Sequence, residues 1–147
     1  MATTEGIGGF LSASAAAPAT YDDTGYAALT WTEIGEAEEI PEFGPAHDSV
    51  TFTPLKTGIV NKYHGALNYG SVTVPMALAD GDAGQGILRA ALASRDEISF
   101  RETRSDGSIR YISGKVMSFP SGQSIGSVVM ANVNIEFTRA EVNVAAP

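Results

Sequence analysis

Apolar and polar positions alternate by two along most of this chain. Val72, Val74, Met76 and Leu78 share one face of the segment 67–78, and Val129, Ala131, Val133, Ile135 and Phe137 share one face of 129–137. Strict alternation of this kind marks a strand with one buried side. Shorter runs have the same period: Val50 and Phe52 alternate with Thr51 and Thr53, and Ile98 and Phe100 alternate in EISFRETR. Asp106–Gly107 is a strong hairpin signal, so the pattern predicts a return strand over 109–119, with a bulge at Gly114. Pro75 lies within the cleanest strand, on the polar side. Proline has no N–H to donate to a ladder, so this strand is expected at a sheet edge or at a bulge.

One stretch breaks the period. In DGDAGQGILRAALASR, residues 80–95, the apolar positions Ile87, Leu88, Ala91 and Leu92 have the spacing of one helical face. Asp80 or Asp82 is placed to cap its first turn, and acids at its start with Arg95 at its end suit the helix dipole. This helix is expected to pack through Ile87, Leu88 and Leu92. The remaining segments are less regular. YDDTGYAALT, from Tyr21, suggests a helical turn capped by Asp22, Asp23 or Thr24, and Trp31–Ile34 suggests a strand. EAEEI, residues 36–40, reads as a strand or its edge, closed by a turn around Pro41, Gly44 and Pro45. KTGIVNKYHG, residues 56–65, has weak periodicity and reads as a long loop or a protruding hairpin.

Together these elements predict a mainly β fold: a β-sandwich or partly open barrel with one flanking α-helix at about residues 82–95 and a long protruding loop at about 54–65. A length of 147 residues suits a single domain over 1–147, with 1–6 and 139–147 as flexible or partner-docking tails. The 16 glycines and seven prolines agree with many short elements. No stretch approaches the roughly 20 apolar residues of a membrane span. GFLSASAAAP near the start lacks the positive charge of a secretion signal and follows Glu5.

Charge divides the chain. Residues 1–48 contain nine acids and no lysine or arginine, while all nine lysines and arginines fall in 49–147 with the other eight acids. Complementary patches of this kind fix register between partners. The net charge of −8 also argues against grip on nucleic acid, which needs cations to displace counterions. The acidic run supplies Glu36, Glu38, Glu39 and Glu42 as candidates for a surface that repels polyanions. In the 54–65 loop, Lys56, Ile59, Val60, Lys62, Tyr63 and His64 are candidates for contact with a partner, because apolar residues on an exposed loop usually mark one.

Catalytic and metal-binding constellations do not assemble. There are no cysteines, and His47 and His64 have no ligand or nucleophile at a useful spacing. Asp80-Gly81-Asp82 resembles the front of a calcium loop, but Gln85 and Ala91 stand where glycine and glutamate are required. Lys56-Thr57-Gly58 lacks the companion motifs of penicillin-binding enzymes. The clustered glutamates look solvated rather than held in the contrasting environments that acid–base catalysis needs. No cofactor and no enzymatic activity are expected.

Several phrases, in order, resemble the tail tube proteins of long, non-contractile-tailed bacteriophages and of phage-like gene transfer agents: YDDTGYAALTWTEIGE (21–36), IPEFGP (40–45), VPMALADGDAGQGILRAA (74–91) and GKVMS (114–118). The similarity runs over roughly residues 7–138. It implies a β-sandwich or barrel with one flanking helix, a fold shared with the type VI secretion tube. It implies homohexameric rings stacked around a tape-measure protein, with tail terminator or adaptor proteins as further partners. DNA would pass through the lumen without specific binding. Particles would be assembled in the host bacterial cytoplasm, and the protein would reside in the virion tail or gene transfer agent particle. On that reading Glu36, Glu38, Glu39 and Glu42 face the lumen or a ring–ring contact, and the loop Lys56–His64 reaches a neighbouring subunit. The alternative is a secreted or virion-associated β-sandwich that recognises carbohydrate or protein. It requires an aromatic platform, for which Tyr21, Tyr26, Trp31, Tyr63 and Tyr69 are the candidates.

Overall fold

The computed structural model describes residues 6–147. The tail expected over 1–6 therefore lies almost wholly outside the described residues. In chain order the elements are β1 (Phe10–Ser14), α1 (Asp23–Ala27), β2 (Thr32–Glu33), β3 (Ala46–Phe52), β4 (Asn61–Asn68), β5 (Ser71–Ala77), α2 (Ala83–Ser94), β6 (Ile98–Thr103), β7 (Ile109–Ser118), β8 (Ser121–Gly122), β9 (Met130–Phe137) and β10 (Val142–Val144). Eight strands form one antiparallel sheet in the order β2-β1-β6-β7-β9-β5, with β10 paired to β7 and β8 to β9, while β3 and β4 form a separate hairpin. The fold is mainly β and sandwich-like, and the sheet is not a closed barrel.

The period-two pattern sets the core. Val72, Val74 and Met76 of β5 lie beside Ala131, Val133, Ile135 and Phe137 of β9, and Ile112, Val116, Ile98, Phe100, Leu11 and Ala13 continue the same buried face. α2 covers it through Leu88 and Ala91, both buried, with Ile87 and Leu92 packed at the margin. Ile40 and Phe43 add to the cover from the loop before β3. The opposite face of β6 and β7 is covered by α1. There Tyr26 stacks on Tyr111 with ring centroids 5.3 Å apart, and its hydroxyl shares a 2.7 Å hydrogen bond with Ser113. Burial pushes the Tyr26 phenol above its ordinary pKa. Asp22 caps α1 by accepting from Gly25 N at 2.7 Å, which holds its carboxyl below the usual carboxylate range.

Of the two aspartates proposed to cap α2, Asp82 does so, accepting from Gln85 N at 2.9 Å, while Asp80 pairs with Arg89. Asp82 also accepts from Gly35 N at 3.1 Å. Gln85 is fully buried and spends its whole amide on backbone: Ala79 N donates to Oε1, and Nε2 donates to Gly35 O and Ala77 O, at 2.9–3.1 Å. At Gly84 a Cβ would collide with the Glu33 carbonyl, so the first turn of α2 rests directly on β2. The end of β5, the exit of β2 and the start of α2 are thus tied at one point.

The acidic segment after β2 is not a strand. EAEEI contributes an isolated bridge, Ala37 to Met76. Ile34 N donates to Leu11 O on β1, whereas Ala77 N donates to Glu36 O and Glu38 N to Pro75 O on β5. One short segment therefore touches both outer edges of the sheet, with Glu36 in the left-handed conformation (φ 63°) at its kink. β5 is indeed the edge strand, and the carbonyl of Pro75 points away from β9, as would the N–H it lacks. No bond to β9 is lost at Pro75.

Other expectations need correction. The strand predicted over 67–78 is two elements: β4 ends at Asn68, β5 begins at Ser71, and Gly70 turns between them with φ +97°. The bulge expected at Gly114 falls instead between Val116 and Ser118. Gly114 is paired in register with Ile98 and Phe137, and it is a glycine because a Cβ would lie 2.7 Å from Glu136 O. The segment 139–147 carries β10, which pairs with Tyr111, Arg110 and Ile109 of its own chain.

Arg110 anchors that last segment. Its guanidinium lies 2.9 Å from Glu102 and 3.2 Å from Glu141, donates to Phe43 O at 3.0 Å, and sits 3.7 Å from the Phe43 ring centroid. Arg110→Ala should therefore loosen both the loop at Phe43 and β10. Amide exchange at Val142–Val144 is expected to quicken about tenfold or more, while Val133 and Ile135 in the core keep their protection. Unchanged exchange in β10 would show that its backbone pairing alone holds it.

Candidate assembly surface

The feature that stands apart is the β3–β4 hairpin, here called the arm. None of its residues joins the core or packs at its margin. Pairing of Val50 with Tyr63 and Phe52 with Asn61 puts Val50, Phe52 and Tyr63 on one face; Ser49, Thr51, Lys62 and His64 lie on the other. The period of two that elsewhere buries a face here leaves it bare: Val50, Phe52 and Tyr63 are 49%, 61% and 56% exposed. Leu55, Ile59 and Val60 at the tip are exposed as well. An isolated two-stranded hairpin is marginal in water, and a bare apolar face adds to the cost. The arm's apolar face has no cover among the described residues of its own chain.

The structure refines the expected loop. Residues 61–65 belong to β4, so the irregular tip runs from 53 to 60. Lys56, Ile59 and Val60 are on this tip, and Lys62, Tyr63 and His64 are on the strand that follows. His47 and His64 meet edge-on across the polar face, centroids 4.9 Å apart. Gly65 permits the register shift at the arm's base, since a Cβ there would press on Val50 and Asp48.

Glu36, Glu38, Glu39 and Glu42 are all exposed. Glu36, Glu38 and Glu39 line a groove of about 980 Å³ between residues 6–10, 33–40 and the β6–β7 turn at 102–105; Glu42 does not line it. The groove also contains Ile7, which is 87% exposed, and Ile40. A third surface is the polar side of the same alternation. On the side of the sheet away from the core, Ser71 and Thr73 of β5, Asn132 and Glu136 of β9 and Lys115 of β7 are exposed. Lys115 stands opposite Glu136 in register, so this face is polar and close to neutral.

The five aromatic candidates do not share one exposed platform. Tyr21, exposed, packs edge-on against buried Tyr26, and half-buried Trp31 joins the same cluster through Tyr111, with its indole N–H donating to Tyr26 O, whereas Tyr63 lies apart on the arm. Tyr69 packs against the core margin. Among the described residues no group of His, Cys, Asp or Glu is placed to hold a metal ion, and no helix is long and apolar enough to cross a membrane.

No family model matches the sequence, and no curated protein matches it at the sequence level. Solved structures do match the fold. A chain of the SPP1 tail tube superposes with TM-score 0.68 at 13% identity, over 96% of this chain and 78% of that one. The tail of an empty GTA particle, computed with C6 symmetry, gives 0.68 at 15% identity over 97% and 100%. The sheath/tube terminator of an extracellular contractile injection system, PVC, gives 0.66 at 12% identity over 99% of both chains. The chain therefore has the fold of tail tube and tube terminator proteins. The resemblance noticed in its sequence phrases agrees with this likeness in three dimensions.

Proposed function

We propose that this chain is the structural subunit of a tail tube, joining copies of itself into hexameric rings that stack into a conduit for DNA. The observation that carries the reading is the arm, a folded element whose apolar face has no cover within its own subunit. An arm on one side of a subunit that engages a different surface of the next makes a heterologous contact. Contacts of that kind close into rings or extend as filaments, and a tube needs both. The solved tubes with this fold support the same role, one of them computed with sixfold symmetry.

The near-neutral polar side of β5, β9 and β7 suits the wall of a water-filled lumen. It offers hydrated side chains and little positive charge to hold a polyanion, so DNA would slide past without specific binding. A tape-measure protein would occupy the lumen during assembly, and terminator or adaptor proteins would cap the ends. The site of action is the virion tail or the gene transfer agent particle, assembled in the host bacterial cytoplasm. On this reading Glu36, Glu38 and Glu39 belong to a subunit contact rather than to the lumen.

The test is direct. Purified protein examined by sedimentation and negative-stain microscopy at rising concentration is expected to pass from small species to stacked rings of uniform diameter. A protein that stays monomeric through the millimolar range without added nuclei, and also fails to add to preformed tube ends, does not have this function.

A further inference from the structure

We infer that the arm tip of one copy, with the start of β4, seats in the acidic groove of the next, so that the cleft formed by residues 6–10, 33–40 and 102–105 is the receptor for residues 53–62. The inference rests on the reading of the chain as a self-assembling subunit and names the surface that its arm engages. Two features, described independently, fit each other in charge. Among the described residues, Arg89, Arg104, Arg110 and Arg139 are in ion pairs and Arg101 lies over Trp31. Lys56 and Lys62, like Arg95 and Lys115, are in no such ion pair, and they are the two cations on the arm. Glu33, Glu36, Glu38 and Glu39 in the groove are likewise in no ion pair, and Arg104, the cation that lines the groove with them, is paired with Glu102. Four like charges within seven residues repel one another, and an incoming pair of lysines relieves that repulsion while fixing which partner is accepted.

The apolar parts fit as well. Leu55, Ile59 and Val60 on the tip are exposed, and the groove offers Ile7, Ile40 and Ala37. A volume of about 980 Å³ is at the upper end of the range for ligand clefts, about 300–1,000 Å³, which is room for several side chains rather than a point contact. The arm can reach: the seven residues of β3 extend about 20 Å before the tip begins. No arm residue lines the groove of its own chain.

The absence of native cysteines gives a clean test. Val60→Cys and Glu39→Cys are placed on separate chains, mixed under assembly conditions and oxidised. Disulfide-linked dimers are expected, and a chain carrying both substitutions should give a ladder of multimers. Val60→Cys with Asp96→Cys, at the far end of α2, is the control and should cross-link at least about tenfold less. Independently, Lys56→Glu with Lys62→Glu should raise the protein concentration needed for assembly about tenfold or more, and adding Glu38→Lys with Glu39→Lys should restore it. If micrographs show normal rings but the Val60–Glu39 pair links no better than the control, and the charge swap fails to restore assembly, the groove is not the receptor although the tube reading stands. If the unaltered protein forms no assemblies under any condition, both readings fall together.

Discussion

Removal of the arm should abolish tube formation and leave a folded subunit. Residues 46–68 can be cut out and Pro45 rejoined to Tyr69 through two glycines, because the root of the arm is closed: Gly70 lies against the Gly44 carbonyl. Nothing in the core depends on the excised segment, so the circular dichroism spectrum and the cooperative unfolding transition should survive. Long stacked assemblies should vanish from micrographs at concentrations where the intact protein forms them. A gentler version keeps the backbone. Val50→Ser with Phe52→Ser alters only exposed side chains, and substitutions of that kind usually change stability by less than about 0.5 kcal/mol. Assembly should nevertheless fail, because the surface that repays association is gone. Normal tubes from either variant would show that the arm is not the joining element, and an unfolded deletion would show that it stabilises its own domain.

The arm and the groove differ in how they could have been read. Val50, Phe52 and Tyr63 announce a two-faced hairpin, but periodicity is silent on whether a face finds cover within the same chain. That depends on what the rest of the chain places beside it, which is a tertiary fact. The boundary between β4 and β5 was available from pattern alone: Leu67 is out of phase with Val72, Val74 and Met76, and Asn68 and Gly70 are turn residues. The acidic segment is harder. Its role at the two sheet edges is carried by backbone groups, Glu36 O and the N–H groups of Ile34 and Glu38, and backbone bonding leaves no trace in residue type. The same applies to the groove, whose walls come from three segments distant in sequence. Its charge was visible as a run of glutamates, and its shape was not.

Gln85 is a polar residue on the buried face of α2. It lies three residues before Leu88 and six before Ala91, so helical spacing places it on the buried face, yet an amide on that face invites dismissal as surface. Its three hydrogen bonds explain it. Ala79 N, Gly35 O and Ala77 O are backbone groups at the junction of β5, α2 and the segment after β2, and Gln85 bonds all three. Gln85→Ala should cost about 3–5 kcal/mol, since each buried group left without a partner costs about 1–3 kcal/mol and water can reach only part of the space. Gln85→Glu separates hydrogen bonding from packing. An ionised carboxylate can accept from Ala79 N but repels the carbonyls of Gly35 and Ala77, whereas the protonated acid donates to one of them. The folded-state pKa of that glutamate should therefore be raised. Its stabilising contribution is present below the unfolded value of about 4.3 and is lost as pH climbs through the raised folded value. Relative to the native sequence at each pH, Gln85→Glu should be least destabilised in mild acid and most destabilised at neutral pH, as measured by urea unfolding. A penalty for Gln85→Ala below about 1 kcal/mol, or a Gln85→Glu penalty that ignores pH, would mean the junction is held by packing of Leu88 and the close rest of Gly84 on β2.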